Sequence, residues 1–174
     1  GTYQDVTDTT VTAQFKIKKV ELPKFLNSDD EIFVLAWTTT PWTLPSNTAL
    51  TVGPKINYSL IKSFNQYTGL RADYIVAEDL ILKQFSGNYY ETSDLGEINK
   101  YEFDSKKIPF LKVCTFQGKD LENIQYEQLL DYAKPFDNPE NAFRIIIGDF
   151  VTTSDGTGIV HTAPTFGADD AFVA

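Results

Sequence analysis

The chain has 174 residues, 42% of them hydrophobic and 14% aromatic. That supply suits one domain with a real core and excludes a disordered, collagen-like or coiled-coil polypeptide. The net charge of −9, with Arg71 and Arg144 the only arginines, argues against general nucleic-acid binding by phosphate neutralisation, although not against a pocket that receives one strand end.

One cysteine, Cys114, excludes a disulfide framework and a Cys-based zinc site. With His161 the single histidine and no EF-hand loop in sight, no metal site is expected. No apolar run approaches the ~20 residues that span a bilayer, and GTYQDVTDTT is no signal peptide. A cytoplasmic monomer without membrane contact is the expectation. The chain contains no methionine, even at position 1, which suggests a single domain over 1–174 excised from something longer.

Val11 to Val20 alternates around Val11, Ala13, Phe15 and Ile17 and predicts a half-buried strand. Pro23 and the Asn27–Asp30 cluster predict a turn, and Glu31–Trp37 a buried strand. Further strands are predicted at Thr48–Val52, Asn57–Ser63, Ala72–Ala77, Ile108–Thr115, Phe143–Val151 and Gly158–His161. Helix signals are short. Glu78–Phe85 has an acidic start and apolar spacing, Leu121–Tyr132 is mixed, and Gly167–Ala174 begins a helix with acids at its positive end. Gly87–Lys107 is the most polar stretch and reads as a surface loop or excursion. Many short strands between turn signals predict a mainly β domain, barrel or sandwich, with a few short peripheral helices.

Two segments carry candidate chemistry. In Trp37-Thr38-Thr39-Thr40-Pro41-Trp42-Thr43-Leu44-Pro45-Ser46-Asn47, hydroxyls and an amide follow directly from an apolar strand, and two prolines stiffen the exit. Threonines at such a place commonly satisfy turn backbone, but their density at a strand mouth also suits recognition of a polar ligand without charge. In Gly156-Thr157-Gly158-Ile159-Val160-His161-Thr162-Ala163-Pro164, continuing to Asp169-Asp170, the lone histidine ends a short strand nine residues before a carboxylate at a helix start. His161 and Asp170 could share a cleft; equally, the two aspartates could cap the helix. Nothing around Cys114 resembles a low-pKa thiol site, and neither a dinucleotide fingerprint nor a Walker A sequence is present.

Together these two segments resemble the editing domain (connective polypeptide 1, CP1) of class I isoleucyl-tRNA synthetases. WTTTPWTLPSN is similar to that family's threonine-rich motif and GTGIVHTAPTFGADD to its second editing motif. The valyl and leucyl relatives carry Thr-Thr-Arg-Pro where this chain has Thr39-Thr40-Pro41-Trp42, and they lack the histidine. The HIGH and KMSKS signatures of the synthetic site are absent. The resemblance implies a closed β-barrel-like domain that hydrolyses mischarged valyl-tRNA(Ile) and excludes isoleucine. That family is itself the standard example of the limit that makes editing necessary, its synthetic site favouring isoleucine only about 150-fold.

By the same resemblance, the catalytic set is Thr38, Thr39, Thr40, His161 and Asp170. Asp170 pairs with the substrate ammonium, and His161 walls off the extra methylene of isoleucine. The threonines hold water, ester oxygen or the terminal adenosine. Trp37, Trp42, Thr43, Asn47, Gly158 and Asp170 bind substrate, with Asn47 orienting. The implied partners are the 3′ end of tRNA(Ile) carrying valine and the remainder of the synthetase chain, and no cofactor is implied. The alternatives are an editing site of altered specificity, a non-catalytic β-domain that binds an amino acid or nucleoside, and a β-sandwich interaction domain in which the threonines are incidental.

Overall fold

The structure, a computed structural model, describes residues 10–129 and 142–163. The alternation at the start of the chain does what its period predicts. Strand β1 (Val11–Lys16) buries Ala13 and Phe15 and turns Thr12 and Gln14 outward. It runs antiparallel to β2 (Ile32–Thr38), with Phe15 opposite Val34 and Thr12 opposite Trp37. β2 is apolar on both faces, as a strand covered on both sides should be.

The remaining strands are β3 (Ala49–Val52), β4 (Asn57–Phe64), β5 (Arg71–Ala77), β6 (Tyr89–Glu91), β7 (Ile108–Gln117), β8 (Arg144–Ile147) and β9 (Ile159–Thr162). They form a mixed sheet in the order β6-β7-β4-β5-β2-β9-β3-β8. β1 takes one edge of β2. The other edge is shared in succession, β5 pairing with Ile32–Val34 and β9 with Trp37. Among the described residues the sheet does not close as the barrel that the resemblance implied. β6 and β8 are its ends, and only two isolated bridges, Ile17 to Tyr126 and Gln125 to Arg144, lead from β8 back towards β1.

Helical structure is brief. A 3-10 turn at Glu78–Leu80 runs into α1 (Ile81–Gln84), matching the expected segment. Three expectations are corrected. Gly87–Lys107 is more than loop: it contains β6 and α2 (Leu95–Lys100), the latter capped by Asp94 Oδ1 accepting from Gly96 N at 2.8 Å. Ile98 and Ile108 bury themselves there against Phe64, which explains how a polar stretch stays folded. The strand expected over Phe143–Val151 spans only Arg144–Ile147; its last tie to β3 is Gly148 N donating to Val52 O at 3.0 Å, at a position where a Cβ would lie 2.6 Å from the Thr51 methyl. The mixed helix signal from Leu121 dissolves after a 3-10 turn at Gly118–Leu121: Asn123 has φ 67°, and the following residues bridge to strands. The expected helix at Gly167–Ala174 lies outside the described residues. No described helix is long and apolar enough to cross a membrane.

The main core gathers Phe15, Ile17, Val34, Leu50, Tyr58, Leu60, Ile75, Phe110 and Tyr126. Most polar groups inside it are partnered, the buried Thr48 Oγ1 and Asp73 Oδ2 being the atoms left without a hydrogen bond among the described residues. Tyr58 Oη accepts from Gly53 N at 2.9 Å and donates to Gly158 O at 2.6 Å. Lys62 Nζ donates to the buried Asp73 at 2.9 Å and to Asp30 at 3.1 Å, and Arg71 Nε also reaches Asp30, at 2.9 Å. Burial pushes the Asp30 carboxyl up, but Lys62 and Arg71 outweigh it and hold the group below its ordinary 3.8. A carboxyl so depressed adds stability at neutral pH, and that stability drains away as pH falls through the folded-state value.

Lys62→Met should therefore cost about 3–5 kcal/mol in urea unfolding, since Asp73 would be left buried and uncompensated. Asp30→Asn should flatten the acid limb of stability below pH 3.8. Gly118→Ala should cost more than about 2 kcal/mol, because its methyl would run into the Gly53 carbonyl oxygen.

Candidate active site

The site forms where β2 runs out. Beyond Thr38 the backbone amide of Thr40 donates to Thr38 Oγ1 at 3.0 Å, and Pro41 starts a 3-10 turn over Pro41–Ser46. Two features favour that tight turn: Pro41 presets φ, and Pro45 brings no N–H that would need a partner. The turn carries Thr43 inward, buried, and leaves Trp42 70% exposed at the rim. β9 supplies the opposite side. Its Val160 pairs with Trp37 across the sheet, and His161 pairs with Leu50 of β3.

These elements enclose an open pocket of about 520 Å³ lined by Trp37, Thr38, Thr39, Thr40, Trp42, Thr43, Val160 and His161. No charged side chain is among those lining residues. Of the residues singled out in the sequence, seven therefore meet here: Trp37, Thr38, Thr39, Thr40, Trp42, Thr43 and His161. Asn47 sits behind His161, buried. Gly158 lines a neighbouring cavity of about 270 Å³ that shares Trp37 and Val160 with the first. Gly158 has φ +75° and packs so closely on Ala77 that a Cβ would come within 2.5 Å. Gly156, at φ +74°, packs so closely on the Trp37 side chain that a Cβ would come within 2.8 Å of it. Asp169 and Asp170 lie outside the described residues.

His161 is held at both nitrogens. Its Nε2 lies 2.9 Å from Thr43 Oγ1, and its Nδ1 lies 2.7 Å from Asn47 Nδ2. Asn47 Nδ2 also donates to Ala49 O at 3.0 Å, an oxygen that can only accept, so the amide orientation follows. An amide nitrogen can only donate, hence Nδ1 must accept and the neutral ring carries its proton on Nε2. Thr43 then accepts from Nε2–H and passes its own hydroxyl proton to Thr40 O at 2.8 Å. Thr40 Oγ1 lies 3.4 Å from Thr43 Oγ1 and 3.3 Å from Thr38 Oγ1, which completes a hydroxyl cluster.

At the far end, Tyr126 Oη donates to Asn47 Oδ1 at 2.5 Å. Sequence reading missed Tyr126. It lies in a stretch that read as mixed helix, and its described side-chain hydrogen bond crosses 79 residues of chain. Cys114 plays no part in this cluster. Burial pushes its thiol up, and Sγ contacts Phe25 O at 3.6 Å.

Solved structures with the same fold include synthetase editing domains. The cytosolic leucyl-tRNA synthetase editing domain of P. falciparum overlays on 93% of this chain and 63% of its own, with TM-score 0.63 and 11% identity. That of P. knowlesi gives TM-score 0.60 over 93% of this chain and 60% of its own, at 15% identity. A crystallised LeuRS-CP1 domain gives 0.61 over 94% and 56%, at 16% identity. The fold is thus that of the CP1 editing domains of aminoacyl-tRNA synthetases.

In sequence the chain belongs to the isoleucine–tRNA ligases. It is 49% identical over 174 residues to the enzyme of Bacteroides fragilis and 52% identical to that of Cytophaga hutchinsonii, in each case along 100% of this chain. The Treponema denticola enzyme is 41% identical over 98% of the chain. The chain spans only 14–15% of the length of these relatives. No protein-family model matches it.

Asn47→Ala should cost about 2–4 kcal/mol in denaturant unfolding, since it strips the described partner from the Tyr126 hydroxyl, Ala49 O and His161 Nδ1 together.

Proposed function

We propose that this pocket hydrolyses the ester between valine and the 3′ end of tRNA(Ile), as the editing site of an isoleucine–tRNA ligase. The observation that carries this reading is the meeting of four threonine hydroxyls with the anchored edge of His161 in one pocket whose described lining carries no charge, on a CP1 fold. An aminoacyl ester is already activated, so a site need only place a water and stabilise the developing oxyanion. The hydroxyls of Thr38, Thr39, Thr40 and Thr43 can do both without a formal charge. A hydroxyl of the terminal ribose would assist, and Asp170 would hold the substrate ammonium.

His161 serves as a wall rather than as a base, because Thr43 and Asn47 already engage its nitrogens. A rigid wall is what size selection needs, one methylene being worth about 1–3 kcal/mol in a pocket. The rest of the synthetase would do most of the anchoring of tRNA, given the charge of −9 on this chain. Affinity of the chain for tRNA should be weak and should fall steeply with salt.

The test is deacylation of valyl-tRNA(Ile) and isoleucyl-tRNA(Ile) by the chain and by its Asp170→Ala variant. Valine should be lost at least about tenfold faster than isoleucine, and the substitution should abolish the loss. Equal loss of both would refute the wall at His161. Failure on both tRNAs and on a valyl-adenosine ester would leave the non-catalytic binding domain as the better reading.

A further inference from the structure

The described hydrogen bonds from Tyr126 to Thr40 all point one way. Tyr126 donates to Asn47, Asn47 to His161, His161 to Thr43, and Thr43 to the carbonyl of Thr40. Such a chain has two possible polarities, and something must choose between them. Thr43 and His161 cannot, because a hydroxyl and an imidazole each donate or accept equally well. The choice is made at Asn47, whose amide is read from both ends. Ala49 O demands a donor on one side, and the Tyr126 hydroxyl, with Asn47 Oδ1 its described acceptor, gives its proton to the other.

We propose that Tyr126 is a positioning residue of this pocket: its hydroxyl locks the Asn47 amide, and through it the Nε2–H tautomer and ring placement of His161 on which size discrimination depends. Its distance from the pocket is no objection, since it acts only through Asn47. Its own backbone is well fixed, with Tyr126 N donating to Phe143 O at 2.9 Å and Ile17 bridged to it across the sheet. Its ring packs edge-on against Phe15 at 5.3 Å and Phe143 at 6.0 Å, so the hydroxyl is aimed without freedom to swing. Burial pushes the phenol well above its ordinary 10, against a smaller opposing pull from Asn47, so it remains a donor at any working pH.

Without that donor only Ala49 O would oppose an amide flip. A flipped Asn47 would offer its oxygen to Nδ1–H, Thr43 would turn its proton towards Nε2, and the Thr40 carbonyl would keep only the Thr43 amide as its donor. The hydroxyl cluster facing the substrate would then reverse its polarity, and the ring would exchange its two anchors for bonds of the opposite direction, which shifts its placement. The specificity half of this proposal rests on the editing reading; the tautomer half does not.

The chain has one histidine, so nitrogen-15 NMR of histidine-labelled protein reports His161 without ambiguity. The wild-type chain should show a protonated Nε2 and an unprotonated Nδ1. Tyr126→Phe keeps the ring packing and removes only the hydroxyl. It should move the nitrogen shifts towards the Nδ1–H form and lower the preference for the valyl over the isoleucyl adenosine ester by about tenfold, the scale of one buried hydrogen bond. Asn47→Asp, whose carboxylate can only accept, should place the proton on Nδ1.

A wild-type spectrum of the Nδ1–H form would overturn the proposal. So would a Tyr126→Phe spectrum identical to wild type, or a shifted tautomer with an unchanged ester preference. Should Tyr126→Phe fail to fold, an unprotonated Nδ1 in Asn47→Asp overturns it. If the wild-type chain cleaves neither ester, the editing reading fails, and the nitrogen spectra alone decide the role of Tyr126.

Discussion

The site depends on a single constraint: each buried polar group between Tyr126 and Thr40 has one acceptable partner arrangement. A buried network that is fully satisfied rigidifies its surroundings, whereas one left half satisfied is worse than an apolar core. That requirement explains local features that otherwise look arbitrary. The 3-10 form of Pro41–Ser46 is the turn that brings Thr43 back within 2.8 Å of Thr40 O. β9 ends so that His161 faces Thr43 and Asn47 together. The chain abandons helix after Leu121 because Tyr126 must reach in beneath Asn47.

β2 divides the labour of the sheet. Its first half pairs with β5, in a region built for stability by the core and by the Lys62, Asp73 and Asp30 cluster. Its second half pairs with β9 and opens into the pocket. One strand thus ties an ion-paired, densely packed segment to a loop rich in hydroxyls. The threonine turn needs no stability of its own, since it grows from an element fixed on both edges.

Much of this was legible in the sequence. Period-2 alternation located β1, and short β-branched and aromatic runs located β2, β4, β5 and β7 to within a few residues. Trp37, the four threonines and His161 stood out because polar density at a strand mouth is unusual, and the structure gathers them. What stayed hidden was long-range. Asn47 looked like a substrate contact, and its place behind His161 depends on a strand more than a hundred residues later. Tyr126 had no local pattern to betray it. The barrel expectation failed for a related reason: closure depends on edge pairing, and the edges of β6 and β8 leave no mark in their own short segments.

The register of β9 has a consequence for how the molecule comes into being. His161 sits 118 residues beyond Thr43 and 114 beyond Asn47, and β9 pairs with both β2 and β3. Hairpins such as β4 with β5 can close early over short loops, but closure over a span of that length comes late and slowly. During synthesis the threonine turn would emerge long before its opposing wall, as a strand end with unclaimed hydroxyls. The pocket therefore comes into existence in one late step, when β9 slots between β2 and β3. Until that step the nascent polypeptide can have a core, yet it has no pocket.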